Sequence, residues 1–427
     1  MTNTEQGQAV RRERAIEIAK KQRIAKRGSV WVVPSASHSG HYVVSNDVVN
    51  GMPTWGCSCP DYETRGQPCK HVIAVEIVRY QSMPDGTIIT ERITYKQDWP
   101  SYNAAQIQEQ ERFELLLRDL MSTVETPKHK AAGRPRMPLA DVIFGNAMKV
   151  YSTKSGRRAS TSILRAKEAG LTANAPSYNT LFRYMESPAL TPILSGLIEQ
   201  TAMPLRSIES VFAVDSTGFA NVTYARWFDE KYGEERSMKT WVKAHVMCGV
   251  KTHVITSAIV TPMNGADCPQ FKGLVEKTAK HFKIVDVCAD KAYLSRENLA
   301  LVAALGGTAM IPFKDGTGEG TVGNGVVAPH AELWRQAFHY YQYNREQFLP
   351  RYHQRSNVET VFHMVKSKIG AFVRSTSPTG QINEVLTKLL CHNIIANVRA
   401  SFELGLNPIL GSGVSLTPAD LLVGDAT

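Results

Sequence analysis

Two short apolar runs that each end on an aspartate constrain the fold of this chain most. Val211-Phe212-Ala213-Val214 leads into Asp215, and Ile284-Val285-Asp286-Val287-Cys288-Ala289 leads into Asp290. Both runs are rich in β-branched residues and too short for buried helices, so they read as buried parallel strands. A carboxylate just past such a strand lies at the carboxyl edge of an open α/β sheet, where ligands bind.

Around Glu359 the period changes from strand to helix. At 100° per residue, Tyr352, Arg355, Glu359 and Lys366 fall within about 60° of one another, and Val358, Phe362, Val365 and Ile369 form a separate apolar stripe for packing on the sheet. Three carboxylates drawn from two strands and a helix make an oxygen-only site suited to Mg²⁺. Two such ions, with Mn²⁺ able to substitute, would serve an in-line phosphoryl displacement. Tyr352 and Arg355 would hold a phosphate, with Lys366 adding a cation further along.

The series Tyr352-x2-Arg355-x3-Glu359-x6-Lys366 resembles the signature of a large group of bacterial insertion-sequence DDE transposases. That resemblance implies a ribonuclease H-like catalytic domain over about residues 206–400, with Asp215 on the first strand, Asp290 after the fourth and Glu359 on the last core helix. It also implies binding of double-stranded DNA at terminal inverted repeats, Mg²⁺-dependent cleavage, joining of 3′ ends to target DNA, and a homodimer in the synaptic complex. The alternatives are a domesticated DNA-binding regulator of the same fold and a related nuclease without joining activity.

The intervening residues agree with an α/β, mixed-sheet domain on their own terms. "TWVKAHVMCGV" and "KTHVITSAIVT" suit an antiparallel pair, and "DCPQFKGLVEKTAKHF" a helix with Asp267 as N-cap. Lys243 and His245 alternate along the second strand and would share one face, either as DNA contacts or as ordinary surface charge; Arg226, Lys239, Lys291 and His363 are further candidates. A short insertion at about 314–351 combines a Gly-rich loop with an aromatic-rich helical stretch. In it Trp334, Tyr340 and Tyr341 would either stack on a splayed base or simply pack.

A second constellation lies near the start. Cys57-x-Cys59 and Cys69-x-His71 supply three thiolates and an imidazole, a tetrahedral set for structural Zn²⁺. The segment resembles a SWIM-type zinc finger, expected over 31–82 as a small ββα unit whose ion carries much of its folding free energy. The remaining cysteines, Cys248, Cys268, Cys288 and Cys391, stand singly in apolar surroundings and suggest no disulfide framework.

At 427 residues with a net charge of +10, the chain has room for several domains and a basic surface that fits a polyanionic partner. Basic residues crowd an N-terminal segment over 1–30. Gly133-Arg134-Pro135-Arg136, within a linker at 124–140, matches the core of an AT-hook, in which Arg134 and Arg136 would enter a minor groove; an ordinary basic linker is the alternative. A helical connector is expected over 83–123, with Leu115, Leu116 and Leu120 as a dimerising stripe. A helical DNA-binding region follows over 141–205, with Arg157 and Arg158 as phosphate contacts beside Arg165 and Arg183, and a tail over 401–427. No segment reads as a signal peptide or membrane span, so a cytoplasmic, nucleoid-associated protein is expected.

Overall fold

A computed structural model of the chain describes residues 3–21, 24–27, 30–35, 40–49, 52–79, 99–125, 136–221, 241–314, 316–320, 322–323 and 326–411. Arg134, Arg226 and Lys239 lie outside these residues.

The C-terminal half is built on a five-stranded mixed sheet. Its strands are β5 (Val211–Ala220), β6 (Trp241–Gly249), β7 (Ile255–Pro262), β8 (Asp286–Ala289) and β9 (Thr308–Met310), in the order β7-β6-β5-β8-β9. β5, β6 and β7 form an antiparallel meander, whereas β8 and β9 add to the other side of β5 in parallel. The parallel strands need crossovers, and the helices Cys268–Ala279 and Arg296–Ala304 supply them. One face of the sheet packs on helix Cys268–Ala279 through Phe271, Leu274 and Val275; the other carries helix Ser356–Ile369 through Val358, Val361 and Val365. The apolar stripe expected on the Glu359 helix is therefore its buried face.

The long helix Pro378–Glu403 ties the sheet to the helices that precede it. Its buried Asn393 takes both backbone groups of Ile255, accepting from the N–H at 2.8 Å and donating to the carbonyl at 2.7 Å. Asn383 donates to the carbonyls of Met185 and Ser187, and Asn397 to that of Thr201. Lys388, 4% exposed, donates to the carbonyls of Ile369 and Gly370 at 2.9 and 3.0 Å, capping the end of the Glu359 helix with a positive charge. Lys388→Met leaves the buried Ile369 carbonyl and the half-buried Gly370 carbonyl without this donor. It is expected to lower the unfolding free energy by about 2–4 kcal/mol, readable by chemical denaturation.

Before the sheet, helices Glu109–Met121, Leu139–Tyr151, Gly156–Glu168, Tyr178–Met185 and Leu190–Ala202 form a helical layer. Leu116 and Leu120, two of the three leucines expected to dimerise the connector, are buried in the chain's own core with Phe144 and Leu390, while Leu115 is half-buried.

At the N-terminus four strands, rather than the expected two, precede the finger helix. β1 (Ala25–Arg27), β2 (Val30–Pro34), β3 (His41–Val49) and β4 (Met52–Cys57) form an antiparallel sheet, followed by short helix Pro60–Arg65 and helix Lys70–Arg79. The basic N-terminal helix, Asn3–Lys21, covers helix Lys70–Arg79, burying Ala15 and Ile18 with Val72 and Val75. The finger sheet continues into the core of the larger domain, because Val30 and Val43 pack with Ile208 and Phe212. A Cβ on Gly56 would meet the Ser207 carbonyl at 2.6 Å, which shows how closely β4 approaches the start of β5.

Candidate active site and candidate metal centre

Pairing register sets the first two carboxylates side by side. In the parallel ladder of β5 and β8 the last registered pair is Val214 with Ala289, so Asp215 and Asp290 are the next neighbours on adjacent strands. Residues paired this way project to the same face. β5 itself does not end at Asp215, as the sequence suggested, but runs on to Ala220 paired with β6. What ends there is the parallel ladder, and the chain after β8 turns away in a short 3-10 helix, Lys291–Tyr293, whose N-cap is Asp290.

Glu359 joins the pair through a guanidinium. Arg355 Nη1 lies 2.7 Å from Asp215 Oδ2, and its Nη2 lies 2.7 Å from Glu359 Oε1. Asp215 is 22% exposed at its side chain, whereas Glu359 is 57% exposed. Burial raises the Asp215 carboxyl above the ordinary carboxylate range; the nearby charges of Asp290 and Glu359 push the same way, against the Ser216 N–H and Arg355. Three carboxylates with one shared guanidinium leave a site that a further cation would satisfy. The donor set is oxygen throughout, which fits a hard divalent ion such as Mg²⁺.

The four-residue signature does not lie on one continuous α-helix. Tyr352 ends helix Arg345–Tyr352, a 3-10 turn spans His353–Arg355, and helix Ser356–Ile369 then carries Glu359 and Lys366. The turn is tighter than an α-helix, yet Tyr352 still reaches the site: burial raises its phenol, with Arg355 lowering it and Asp290 and Asp215 raising it further. Lys366 Nζ donates to Thr217 Oγ1 at 2.6 Å and lies 5.5 Å from the centre of the Phe219 ring. Asp215, Thr217 and Phe219 alternate along β5, so all three face the Glu359 helix.

Lys243 and His245 belong to the other face. They register opposite Gly218 and Ser216, one step out of phase with Asp215. Both converge on Asp267, with Lys243 Nζ 2.8 Å and His245 Nδ1 3.2 Å from Oδ1. His245 is fully buried, and its Nε2 lies 2.9 Å from Thr261 Oγ1. A ring so enclosed holds Asp267 and Lys243 in place rather than meeting a duplex. Asp267 in turn makes no side-chain cap on the helix it precedes, because its carboxylate is taken by these partners. Burial opposes its ionisation, but hydrogen bonds from Lys243 and Ser216 and the charge of Lys243 bring its pKa below the ordinary carboxylate range.

Tyr293 lies in the core between the sheet and helix Cys268–Ala279, 1% exposed. Its phenol is pushed up by burial first and then by Asp267 and Asp215. The sole sequence signal was an aromatic three residues after Asp290, on the same 3-10 turn. Trp334, Tyr340 and Tyr341 are packing residues: Trp334 is buried 4.9 Å from the Phe313 ring centre, Tyr341 stands 5.1 Å from Phe348, and the Tyr340 hydroxyl accepts from Arg351 Nη1 at 3.0 Å. Lys291, His363 and Arg136 are exposed, as are Arg157, Arg158, Arg165 and Arg183.

The second centre is compact. The ligand atoms of Cys57, Cys59, Cys69 and His71 all lie within 4.8 Å of one another, and all four residues are buried. His71 Nδ1 is 4.0 Å from Cys57 Sγ and 3.8 Å from Cys69 Sγ. Zn–S and Zn–N bonds of about 2.3 and 2.1 Å in a tetrahedron place S and N about 3.6 Å apart, so the cluster fits Zn²⁺ with little contraction. β4 delivers Cys57, and Cys59 is the N-cap of helix Pro60–Arg65, its Sγ accepting from the Tyr62 N–H at 3.4 Å. Gly66, at φ 62°, ends that helix in the left-handed region that glycine adopts without strain. Hydrogen bonds from the Cys57 and Cys59 thiols lower the Cys69 thiol below the ordinary range while the same contacts raise Cys57, so the proton deficit settles on Cys69. Such a site holds thiolate readily, the form that ligates metal.

A family model described as the transposase DDE domain matches residues 206–394, and the SWIM zinc finger model matches residues 42–80. Among solved structures, a cryo-EM structure of the piggyBac transposase synaptic complex with hairpin DNA is similar over 67% of this chain and 75% of that chain, at 12% identity and a TM-score of 0.34. No helix among the described residues is long and apolar enough to cross a membrane. The paired aspartates, the Glu359 helix and the Cys₃His cluster fall inside the two matched segments, so the chain carries a SWIM zinc finger followed by a transposase DDE domain.

Proposed function

We propose that this chain is an insertion-sequence transposase that binds the terminal inverted repeats of its element, cuts DNA there, and joins the released 3′ ends to target DNA. The observation that carries this reading is the register that makes Asp215 and Asp290 neighbours at the end of the parallel ladder, with Glu359 tied to them through Arg355. The sheet order, an antiparallel three-strand meander with two parallel strands added beside its first strand, supports a ribonuclease H-like fold over about 206–400.

Asp215, Asp290 and Glu359 would hold Mg²⁺, with Mn²⁺ able to substitute. When bound, the metal would supply an activated water or 3′-hydroxyl and offset charge at the leaving oxygen. The chain's own residues do the positioning. Arg355 bridges Asp215 and Glu359; with those carboxylates turned to the metal, its guanidinium would be released to take a DNA phosphate in bidentate fashion. Lys366, held at Thr217, adds a second cation beside the path of the backbone. Tyr352 presents a phenol that stays protonated and donates to a phosphate oxygen. Two DNA ends are processed together, which supports a homodimer in the synaptic complex.

Arg355→Ala should lower DNA cleavage by about a hundredfold, through a lost charge-assisted phosphate contact of roughly 1.5–3 kcal/mol and a misplaced Glu359. The fold should remain, since Arg355 lies at the surface of the site. Arg355→Lys should recover little, because an ammonium cannot make both bonds. Single-turnover cleavage with the two variants side by side decides this. The reading itself is tested by thermal shift with Mg²⁺ or Mn²⁺: the ions should stabilise the wild type and leave Asp215→Ala unmoved, and equal shifts would remove Asp215 from the metal set.

A further inference from the structure

Helices Leu139–Tyr151, Gly156–Glu168 and Tyr178–Met185 form a small lobe with its own core of Val142, Ala159, Ile163 and Leu181. The loop between the second and third helices is pinned by buried Asp141, which accepts from the backbone N–H of Ala173 and Asn174 at 3.2 and 2.9 Å and from Asn174 Nδ2 at 2.9 Å. The third helix is thereby fixed, and Ser177 caps it by accepting from the Thr180 N–H. Its inner face, Leu181 and Met185, is buried. Its outer face carries Asn179, Phe182 and Arg183, with Glu186 at the C-cap, all exposed and spread over an arc of about 100° on a helical wheel.

The lobe is strongly basic. Residues 154–186 hold six cations, Lys154, Arg157, Arg158, Arg165, Lys167 and Arg183, against two carboxylates, Glu168 and Glu186. All six cations are exposed, and none has a carboxylate partner among the described residues. Arg157 lies over the Tyr178 ring at 5.4 Å, bringing the start of the second helix beside the start of the third. Six unneutralised cations around a rigid, short helix match a duplex, whose major groove admits one helix between two phosphate rows.

We infer that helix Tyr178–Met185 is the sequence-reading element of this chain. It enters the major groove with Asn179 and Arg183 on base edges, while Arg157 and Arg158 hold the flanking phosphates. Asn pairs with adenine and Arg with guanine by two hydrogen bonds each, and the exposed Phe182, at the edge of the same face, suits a thymine methyl. This deepens the transposase reading by naming which residues distinguish the element's ends from other DNA.

The test is selection of bound duplexes from a randomised DNA library by the full-length protein without divalent metal. Wild type, Asn179→Ala, Arg183→Ala and Arg157→Ala are compared. Wild type should enrich one motif. Asn179→Ala and Arg183→Ala should each relax about one base-pair position of it, by roughly 5- to 150-fold. Arg157→Ala should weaken all sequences alike and lower the slope of log affinity against log salt by about one. All three side chains are exposed, and circular dichroism checks that the fold persists. An unselective wild type overturns the inference, as does a motif unchanged in both Asn179→Ala and Arg183→Ala. A protein that selects its motif but never cuts would instead sink the transposase reading and leave this one standing.

Discussion

Replacing Asp215 by Asn is expected to abolish cleavage while making the metal-free protein more stable. The loss of activity should reach at least about a thousandfold, equivalent to about 4 kcal/mol of transition-state stabilisation. The gain in stability follows from the sign of the acidity shift. Burial and the charges of Asp290 and Glu359 raise Asp215 above its unfolded-state value. A carboxyl raised on folding contributes stability that is fully present below the unfolded value, about pH 3.9, and lost as pH rises through the folded one. At neutral pH the ionised Asp215 is therefore a cost to the fold, and the neutral amide removes it. Melting temperature measured from pH 4 to pH 8 should show the variant's advantage widening as pH rises. A flat difference would mean that the Asp215 charge is fully compensated by Arg355. Adding Mg²⁺ should narrow the gap, because only the wild type gains from the ion. Stability given up at a site and regained on binding is the usual mark of a functional cluster.

Removing the finger's metal is expected to have the larger structural effect. Cys69→Ser should reduce bound zinc from about one ion per chain to almost none, since three remaining ligands do not close a tetrahedral structural site. Apparent binding free energies for such sites are about 10–16 kcal/mol near neutral pH, most of it folding free energy. The consequence should reach the larger domain, because Val30 and Val43 of the finger sheet share a core with Ile208 and Phe212, and Arg27 donates to the Glu403 carbonyl at 2.8 Å. Limited proteolysis of the variant, or of wild type treated with chelator, should cut first within 24–79, and the melting temperature of the remainder should fall. A zinc content unchanged in Cys69→Ser would reject the ligand set. An unchanged melting temperature after zinc loss would mean that the finger and the DDE domain fold independently.

Much of both centres was legible in the sequence because each depends on local chemistry. An aspartate after a β-branched apolar run, a glutamate on a helix with a separate apolar stripe, and four metal-binding side chains within fifteen residues announce themselves without knowledge of the fold. What the sequence hid depends on contacts between distant segments. Arg355 reads as a phosphate ligand, and only the packing of its helix against β5 shows that it clamps Asp215 and Glu359. Lys243 and His245 read as strand residues sharing one face that could meet DNA, yet helix Cys268–Ala279 covers that face and Asp267 takes both side chains. Asp267 has the composition of an N-cap and loses that role to a stronger long-range partner. Trp334 and Tyr341 have the composition of a stacking platform, but Phe313 and Phe348 reach them first. The finger shows the same limit: Ala25–Arg27 is too short to carry a periodic signal and is a strand only because Val30–Pro34 pairs with it.

The most direct test of the account is cleavage of a plasmid carrying this gene with its own flanking DNA, by wild type and Asp215→Ala in parallel, with and without Mg²⁺. Breaks confined to two inverted-repeat ends, dependent on Mg²⁺ and absent in the variant, are the predicted result. Tight, sequence-specific binding with no breaks under any divalent metal would contradict it and assign the protein to DNA binding alone.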